Sequence, residues 1–171
     1  MQIVLVGYMG SGKSVVGQAL AIRLQLPFLD LDDYIEQEVG KDIPEIFRQK
    51  GEIFFRKKEH EFLREVLDSK DDLVLSAGGG TPCYSGNMDL LLNTTPNVFY
   101  LQMSVPALTA RLIGEKDHRP MISHLRPEDL QEYIGKHLFE RRPFYSRAHH
   151  SIPCEGKSVE EIVAAIAGKL V

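Results

Sequence analysis

Eight residues near the amino terminus, Gly7-Tyr8-Met9-Gly10-Ser11-Gly12-Lys13-Ser14, carry the spacing G-x-x-x-x-G-K-[ST] of a phosphate-binding loop. Glycines at positions 7, 10 and 12 let the backbone approach an anion more closely than any residue with a Cβ allows. The amides of such a loop, with the helix start that follows it, form a concave nest of donors. In that chemistry Gly10, Ser11, Gly12 and Val15 line the phosphates of a nucleotide, Lys13 reaches the β- and γ-phosphates, and the Ser14 hydroxyl takes Mg²⁺. The plainer alternative is a glycine turn between a strand and a helix, with Lys13 in solvent.

Other residue types in the chain could complete a reaction at such a loop. Asp30-Leu31-Asp32-Asp33 closes the short apolar run at 27–29. Read as a strand end, this places Asp30 and Asp32 two apart on one face, at the edge where open α/β sheets bind ligands. Asp32 is the functional candidate, and Asp33 reads as a cap for the next helix. Gly78-Gly79-Gly80 follows the apolar run 73–76 and points either to close backbone approach to a ligand or to a flexible turn. Arg56, taken alone, reads as the ion-pair partner of a neighbouring glutamate. Arg141 and Arg142, just before Pro143, read as a complement to a helix dipole. Residues 115–127 are polar and aperiodic; they are either a lid whose Arg119 meets the transferring group or a surface excursion.

The elements that must hold these residues can be read from the apolar pattern. Runs at 2–6, 27–33, 73–76, 98–101 and 149–152 read as five short strands, the first of them β-branched and continuous as in a buried parallel sheet. Helical periodicity follows the glycine loop through Leu24, and helices are expected over 34–39, 42–51, 52–67, 87–92, 106–114, 127–142 and 158–170. Asp42 and Ser158, each with a glutamate three residues on, read as capping boxes. Pro143 is expected just past its helix. Alternating strands and helices imply an α/β fold: a three-layer αβα P-loop architecture with a five-stranded parallel sheet.

Composition narrows the field. With 43% hydrophobic and 26% charged residues over 171 positions, one domain (1–171) with an ordinary core is expected. The net charge of −4 argues against nucleic acid as a partner. Arg56-Lys57-Lys58 is the only run of three basic residues and, with Glu59 and Glu61 close behind, reads as a solvated helix face. Two cysteines form no metal or disulfide framework, six histidines show no ligand spacing, and no apolar run approaches the ~20 residues of a membrane span. The chain opens directly on a core strand, which leaves no room for a signal peptide and points to the cytoplasm.

Taken together, the loop 7–14, Asp30-Leu31-Asp32, the stretch from Gly51-Glu52 to Phe55-Arg56, the triple glycine, Arg119-Pro120 and Arg141-Arg142-Pro143-Phe144-Tyr145 resemble shikimate kinase over nearly the whole chain. The resemblance implies an ATP-dependent enzyme that phosphorylates the 3-hydroxyl of shikimate, usually as a monomer, with a helical substrate-binding segment near 32–61 and a mobile lid near 114–127. It further implies that Asp32 meets the accepting hydroxyl as the base and that Asp30 serves Mg²⁺ through water. Arg56 and Arg141 would clamp the substrate carboxylate, Gly78, Gly79 and Gly80 surround the ring and γ-phosphate, and Arg119 is the lid arginine. Val15 stands where threonine is usual, and Ile152-Pro153-Cys154 replaces a pair that often helps form the adenine pocket, leaving Arg111 as the candidate to stack on the base. The alternatives are a P-loop kinase for gluconate or a nucleoside monophosphate, and a non-catalytic nucleotide-binding switch.

Overall fold

Each of the five apolar runs forms a strand, and all of them pair in parallel. The computed structural model describes residues 1–171. Its strands are β1 (Gln2–Val6), β2 (Phe28–Asp30), β3 (Leu73–Ser76), β4 (Val98–Gln102) and β5 (His150–Pro153), in the order β2-β3-β1-β4-β5. β1 is central and wholly buried, which is why it shows no polar alternation. It pairs with β3 in the register Leu5↔Ser76 and with β4 in the register Val6↔Tyr100. The parallel pairing of β1 with β3 sets the loops that leave their carboxyl ends side by side.

Eight helices complete the architecture: α1 (Lys13–Leu24), α2 (Leu31–Val39), α3 (Ile43–Lys50), α4 (Glu52–Asp68), α5 (Asn87–Thr94), α6 (Val105–Ile113), α7 (Pro127–Tyr145) and α8 (Val159–Ala167). α1 packs on β3 and α8, α6 packs on α7, and α2, α3 and α4 pack on one another. The buried apolar residues form one continuous cluster through the sheet and its covering helices. Ser158 and Glu161 make the expected reciprocal capping box, whereas Asp42 caps α3 through its own side chain onto the Glu45 amide.

Three local expectations are corrected. The second strand stops at Asp30, so Asp32 lies in the first turn of α2 and shares no strand face with Asp30. The helix cap is Asp30 itself rather than Asp33: its carboxylate accepts from the amides of Asp32 and Asp33, the orphan donors that every helix start must satisfy. Pro143 is not beyond α7 but inside its last turn. That turn is held from outside by Tyr145, whose hydroxyl donates to the Gly79 carbonyl, and the bond lost at Pro143 falls on exposed Phe139. The polar stretch after α6 is also less loose than its composition suggests, because Ile122 within it is fully buried.

α1 approaches the sheet closely at one point. A Cβ at Gly17 would lie 2.5 Å from Phe28 Cε2 and 3.4 Å from Leu5 Cδ1. Overpacking of this kind costs about 1–3 kcal/mol, more than the few tenths gained by replacing glycine with a β-branched residue in a helix. Gly17→Val should therefore lower Tm by several degrees in a thermal melt. An unchanged Tm would mean that the Phe28 ring swings aside at no cost.

Candidate active site

The loop between β1 and α1 is folded as its glycines require. Gly12 caps α1 with φ 97°, a left-handed conformation that a side chain would strain. Ser11 builds the loop, its amide donating to the Tyr8 carbonyl and its hydroxyl buried against Gly7. The Lys13 ammonium donates to the carbonyls of Gly7 at 2.8 Å and Tyr8 at 3.1 Å. Burial pulls its pKa down to about 8, against the opposing pull of Asp32 and Asp30. The Ser14 hydroxyl donates to Asp30 Oδ2 at 2.8 Å. One carboxylate thus caps α2 with one oxygen and meets the loop serine with the other.

These groups line a cleft of about 340 Å³. Lys13, Ser14, Asp30, Asp32, Gly78 and Gly79 line it, together with Val15, Arg111, Glu115 and Arg119. Arg111 Nη1 donates to the Gly10 carbonyl at 3.1 Å, which fixes its guanidinium beside the loop. Arg119 is paired with Glu115 through Nε and Nη2, at 2.8 and 2.6 Å. Cys154 is fully buried with its thiol turned to the Ile152 carbonyl, so it offers no surface to the cleft.

The glycine run after β3 is where the remaining candidates meet. A Cβ at Gly78 would lie 2.8 Å from Asp32 Oδ1, one at Gly79 would lie 3.2 Å from Arg141 Nη1, and one at Gly80 would lie 2.8 Å from Arg56 Nη2 and 3.2 Å from Arg141 Nη2. Gly79 also borders the phosphate loop, near Met9 N and Gly7 O. Three charged side chains from α2, α4 and α7 therefore converge on one bare stretch of backbone. Burial, then the neighbouring charges of Asp30 and Glu59, push the Asp32 carboxyl up to about 6.

The two arginines are balanced unequally. Arg56 donates to Glu59 at 2.9 Å, and Glu59, only 1% exposed, accepts a second bond from Thr81 Oγ1 at 2.8 Å. Of the basic run on α4, Lys57 and Lys58 do lie on the solvated face, but Arg56 is turned inward and stacks on Tyr84, with Cζ 3.8 Å from the ring centroid. Arg141, 8% exposed, makes no ion pair; the groups set against it are Tyr145, Cys83 and Tyr8. A buried cation without a counter-ion is costly unless a ligand supplies one.

Comparison with known proteins bears directly on this arrangement. A family model described as shikimate kinase matches residues 9–171. The shikimate kinase of Flavobacterium psychrophilum is 46% identical over 165 residues, covering 96% of each chain. The chain belongs to the shikimate kinase family. That membership makes it an ATP-dependent phosphotransferase. The crystal structure of shikimate kinase from Bacteroides thetaiotaomicron matches with a TM-score of 0.90 at 34% identity, over 98% of this chain and 97% of that one. Shikimate kinase from Acinetobacter baumannii in complex with shikimate matches with a TM-score of 0.84 at 34% identity, over 99% and 95% of the two chains. The α/β fold with a five-stranded parallel sheet is therefore that of the family as well as the one expected from the sequence.

Of the residues expected to bind ATP, metal or acceptor, all but Ser11 border the cleft or the glycine run beside it; Asp33, Arg142 and Ile152-Pro153-Cys154 do not. Glu59 and Thr81 were not foreseen. A glutamate three residues after Arg56 was visible as an ion-pair partner, but nothing in the sequence marks it as buried. Gly80→Ala should test the convergence: the flexible guanidinium ends would yield, so Tm should change by only a few degrees. The displaced Arg56 and Arg141 should nevertheless raise KM for the acceptor about tenfold, the equivalent of about 1.4 kcal/mol. An unchanged acceptor KM would remove this backbone from the acceptor site.

Proposed function

We propose that this chain transfers the γ-phosphoryl group of ATP to the 3-hydroxyl of shikimate. The observation that carries the reading is the meeting of Asp32, Arg56 and Arg141 at Gly78–Gly80, one side of which borders the phosphate loop. A carboxylated polyol needs a planar, bidentate cation, which arginine supplies. Glu59 balances one guanidinium and leaves the excess positive charge of Arg141 for the substrate carboxylate. Gripped there, the acid presents a hydroxyl toward Asp32.

Phosphoryl transfer runs through a loose transition state, so positioning and charge stabilisation do most of the catalytic work. Asp32 orients the hydroxyl and takes its proton as the new P–O bond forms and the bond to the leaving ADP breaks. With a pKa near 6 it is ionised at neutral pH yet more basic than an exposed carboxylate. Lys13 leaves the Gly7 and Tyr8 carbonyls for the β- and γ-phosphates, and Arg119 leaves Glu115 to meet the developing charge. Arg111, pinned beside Gly10, is placed to stack on the adenine. The adjacent hard oxygens of Ser14 and Asp30 fit Mg²⁺, which typically takes one or two protein oxygens, keeps several waters and binds the phosphates as well. Bound there, directly by Ser14 and through water by Asp30, it would neutralise charge on the phosphates.

The segment about 32–61 then serves as the substrate-binding part and 114–127 as the lid of one kinase domain. Its partners would be shikimate and ATP, not nucleic acid or membrane, and it would act as a cytoplasmic monomer. No helix is long and apolar enough to cross a membrane. A coupled assay with ATP, Mg²⁺ and shikimate, run beside gluconate and nucleoside monophosphates, tests the reading. Turnover of shikimate is expected, and a folded sample that makes no shikimate 3-phosphate would refute it.

Asp32→Asn should lower turnover by at least ~10³-fold, leave ATP binding within a few fold of the parent, and at the same time raise Tm. The sign follows from the raised pKa. Above about pH 6 the carboxylate is ionised in both folded and unfolded protein, and only the folded state bears its burial. Removing that charge should stabilise the protein at pH 7 by on the order of 1–3 kcal/mol. The gain should shrink as pH falls from 6 and vanish below the unfolded value near 4. Near-normal kcat would take Asp32 out of the chemistry, and a lowered Tm would contradict the electrostatic account.

A further inference from the structure

α7 presents His137, Arg141 and Tyr145 at successive four-residue steps, which places them on one face of the helix. Each meets a different part of the site. Tyr145 donates to the Gly79 carbonyl, and Arg141 lies against Gly79 and Gly80. His137 meets the phosphate loop: its Nδ1 is 2.9 Å from the hydroxyl of Tyr8, and the two rings stand edge to face with centroids 5.3 Å apart. Tyr133, one turn earlier, also packs on the imidazole, with ring centroids 5.4 Å apart.

Tyr8 is the second residue of the phosphate loop, yet its side chain points away from the cleft and is only 1% exposed. Its carbonyl accepts from Lys13, and its hydroxyl reaches across to α7. The phenol and the imidazole both feel the charge of Arg141, so the three groups form one cluster. Burial, followed by Arg141, pulls the His137 pKa down to about 4, so the ring is neutral at physiological pH and adds no second cation beside the guanidinium. A neutral imidazole can offer Nδ1 as an acceptor to the phenol.

We propose that Tyr8 and His137 are a pair of positioning residues that fix α7 to the phosphate loop and thereby set the Arg141 guanidinium for the acceptor carboxylate. The inference rests on Arg141 being a carboxylate ligand, as read above. With Tyr145 anchored on one side of Arg141 and His137 on the other, the helix face cannot slide along its axis or roll without breaking one of two hydrogen bonds. The guanidinium has no carboxylate of its own to orient it, so its place depends on these neighbours. A bidentate clamp tolerates little misplacement, and small displacements are costly in binding.

The test separates substrate capture from chemistry. Tyr8→Phe deletes only the hydroxyl; it should raise KM for shikimate about three- to tenfold while kcat and KM for ATP stay within about twofold. His137→Leu, made on the half-buried side of the pair, should reproduce that split. His137→Asn, whose side-chain oxygen can stand near Nδ1, should restore KM to within about twofold of the parent. The double variant Tyr8→Phe/His137→Leu should be no worse than either single one, as expected for one shared interaction. Arg141→Lys, measured alongside, should raise KM for shikimate at least ~10-fold. If it does so while Tyr8→Phe and His137→Leu shift only Tm, the carboxylate site stands and the pair is merely structural. If Arg141→Lys leaves KM unchanged, the site reading fails and the pair falls with it.

Discussion

Two guanidinium groups, from Arg56 and Arg141, place terminal nitrogens within 3.2 Å of the point a Gly80 Cβ would occupy. Like charges drawn that close in a partly dehydrated place repel strongly, and a chain folding for stability alone would not put them there. The fold offsets one of them with Glu59, itself held by Thr81, and leaves the other to neighbouring tyrosines and a thiol. The residual positive charge is what a carboxylate ligand would complete. Beside it Asp32 and Lys13 are displaced in pKa in opposite directions by the same burial, so their attraction for one another does not recover the cost of drying them.

What makes that convergence possible is strand order rather than any single contact. β1 and β3 are distant in sequence but adjacent and parallel in the sheet, so the loops leaving their carboxyl ends run side by side. One loop cradles phosphate, and the other, lacking side chains at 78–80, leaves room for groups to approach from outside. α4 and α7 then bring in their arginines, and Asp30 ends β2 so that α2 begins with Asp32 facing the same place. A Cβ at any of the three glycines would occupy space now taken by Asp32, Arg56 or Arg141.

How much of this the sequence carried differs residue by residue. The phosphate loop was legible because its spacing has a mechanical meaning and its flanks show the right periods. Strand positions were legible because β1, β3 and β4 are buried on both faces and therefore uninterrupted. The start of α2 was misplaced because four consecutive residues, Asp30-Leu31-Asp32-Asp33, offer three possible caps, and only the backbone turn after Asp30 selects among them. The end of α7 was misplaced because proline discourages a helix locally, while Tyr145 holds the last turn through a contact 66 residues away in sequence. Arg56 looked like an ordinary ion-pair partner and is one, to a glutamate whose burial is a tertiary fact. His137, without metal-ligand spacing, gave no signal: its partner Tyr8 lies 129 residues away.

The site is thus the least relaxed part of an otherwise well-satisfied core. Asp32 would be more stable protonated than its exposed counterparts, Lys13 holds its proton less firmly than a free lysine, and Arg141 lacks an anion. Each deficit matches one feature of a phosphoryl-transfer complex: a hydroxyl proton to accept, phosphates to pair with the ammonium, and a carboxylate to meet the guanidinium. Because these strains exist in the folded chain and not in the unfolded one, ligands that relieve them bind only the folded state and stabilise it by mass action. The free energy the protein forgoes in holding such groups apart from water would be returned on filling the cleft and its flanking glycines as proposed. That accounts for why groups so unfavourable in isolation are gathered at one end of the sheet, while elsewhere the core buries no charged residue and its few polar ones are hydrogen-bonded.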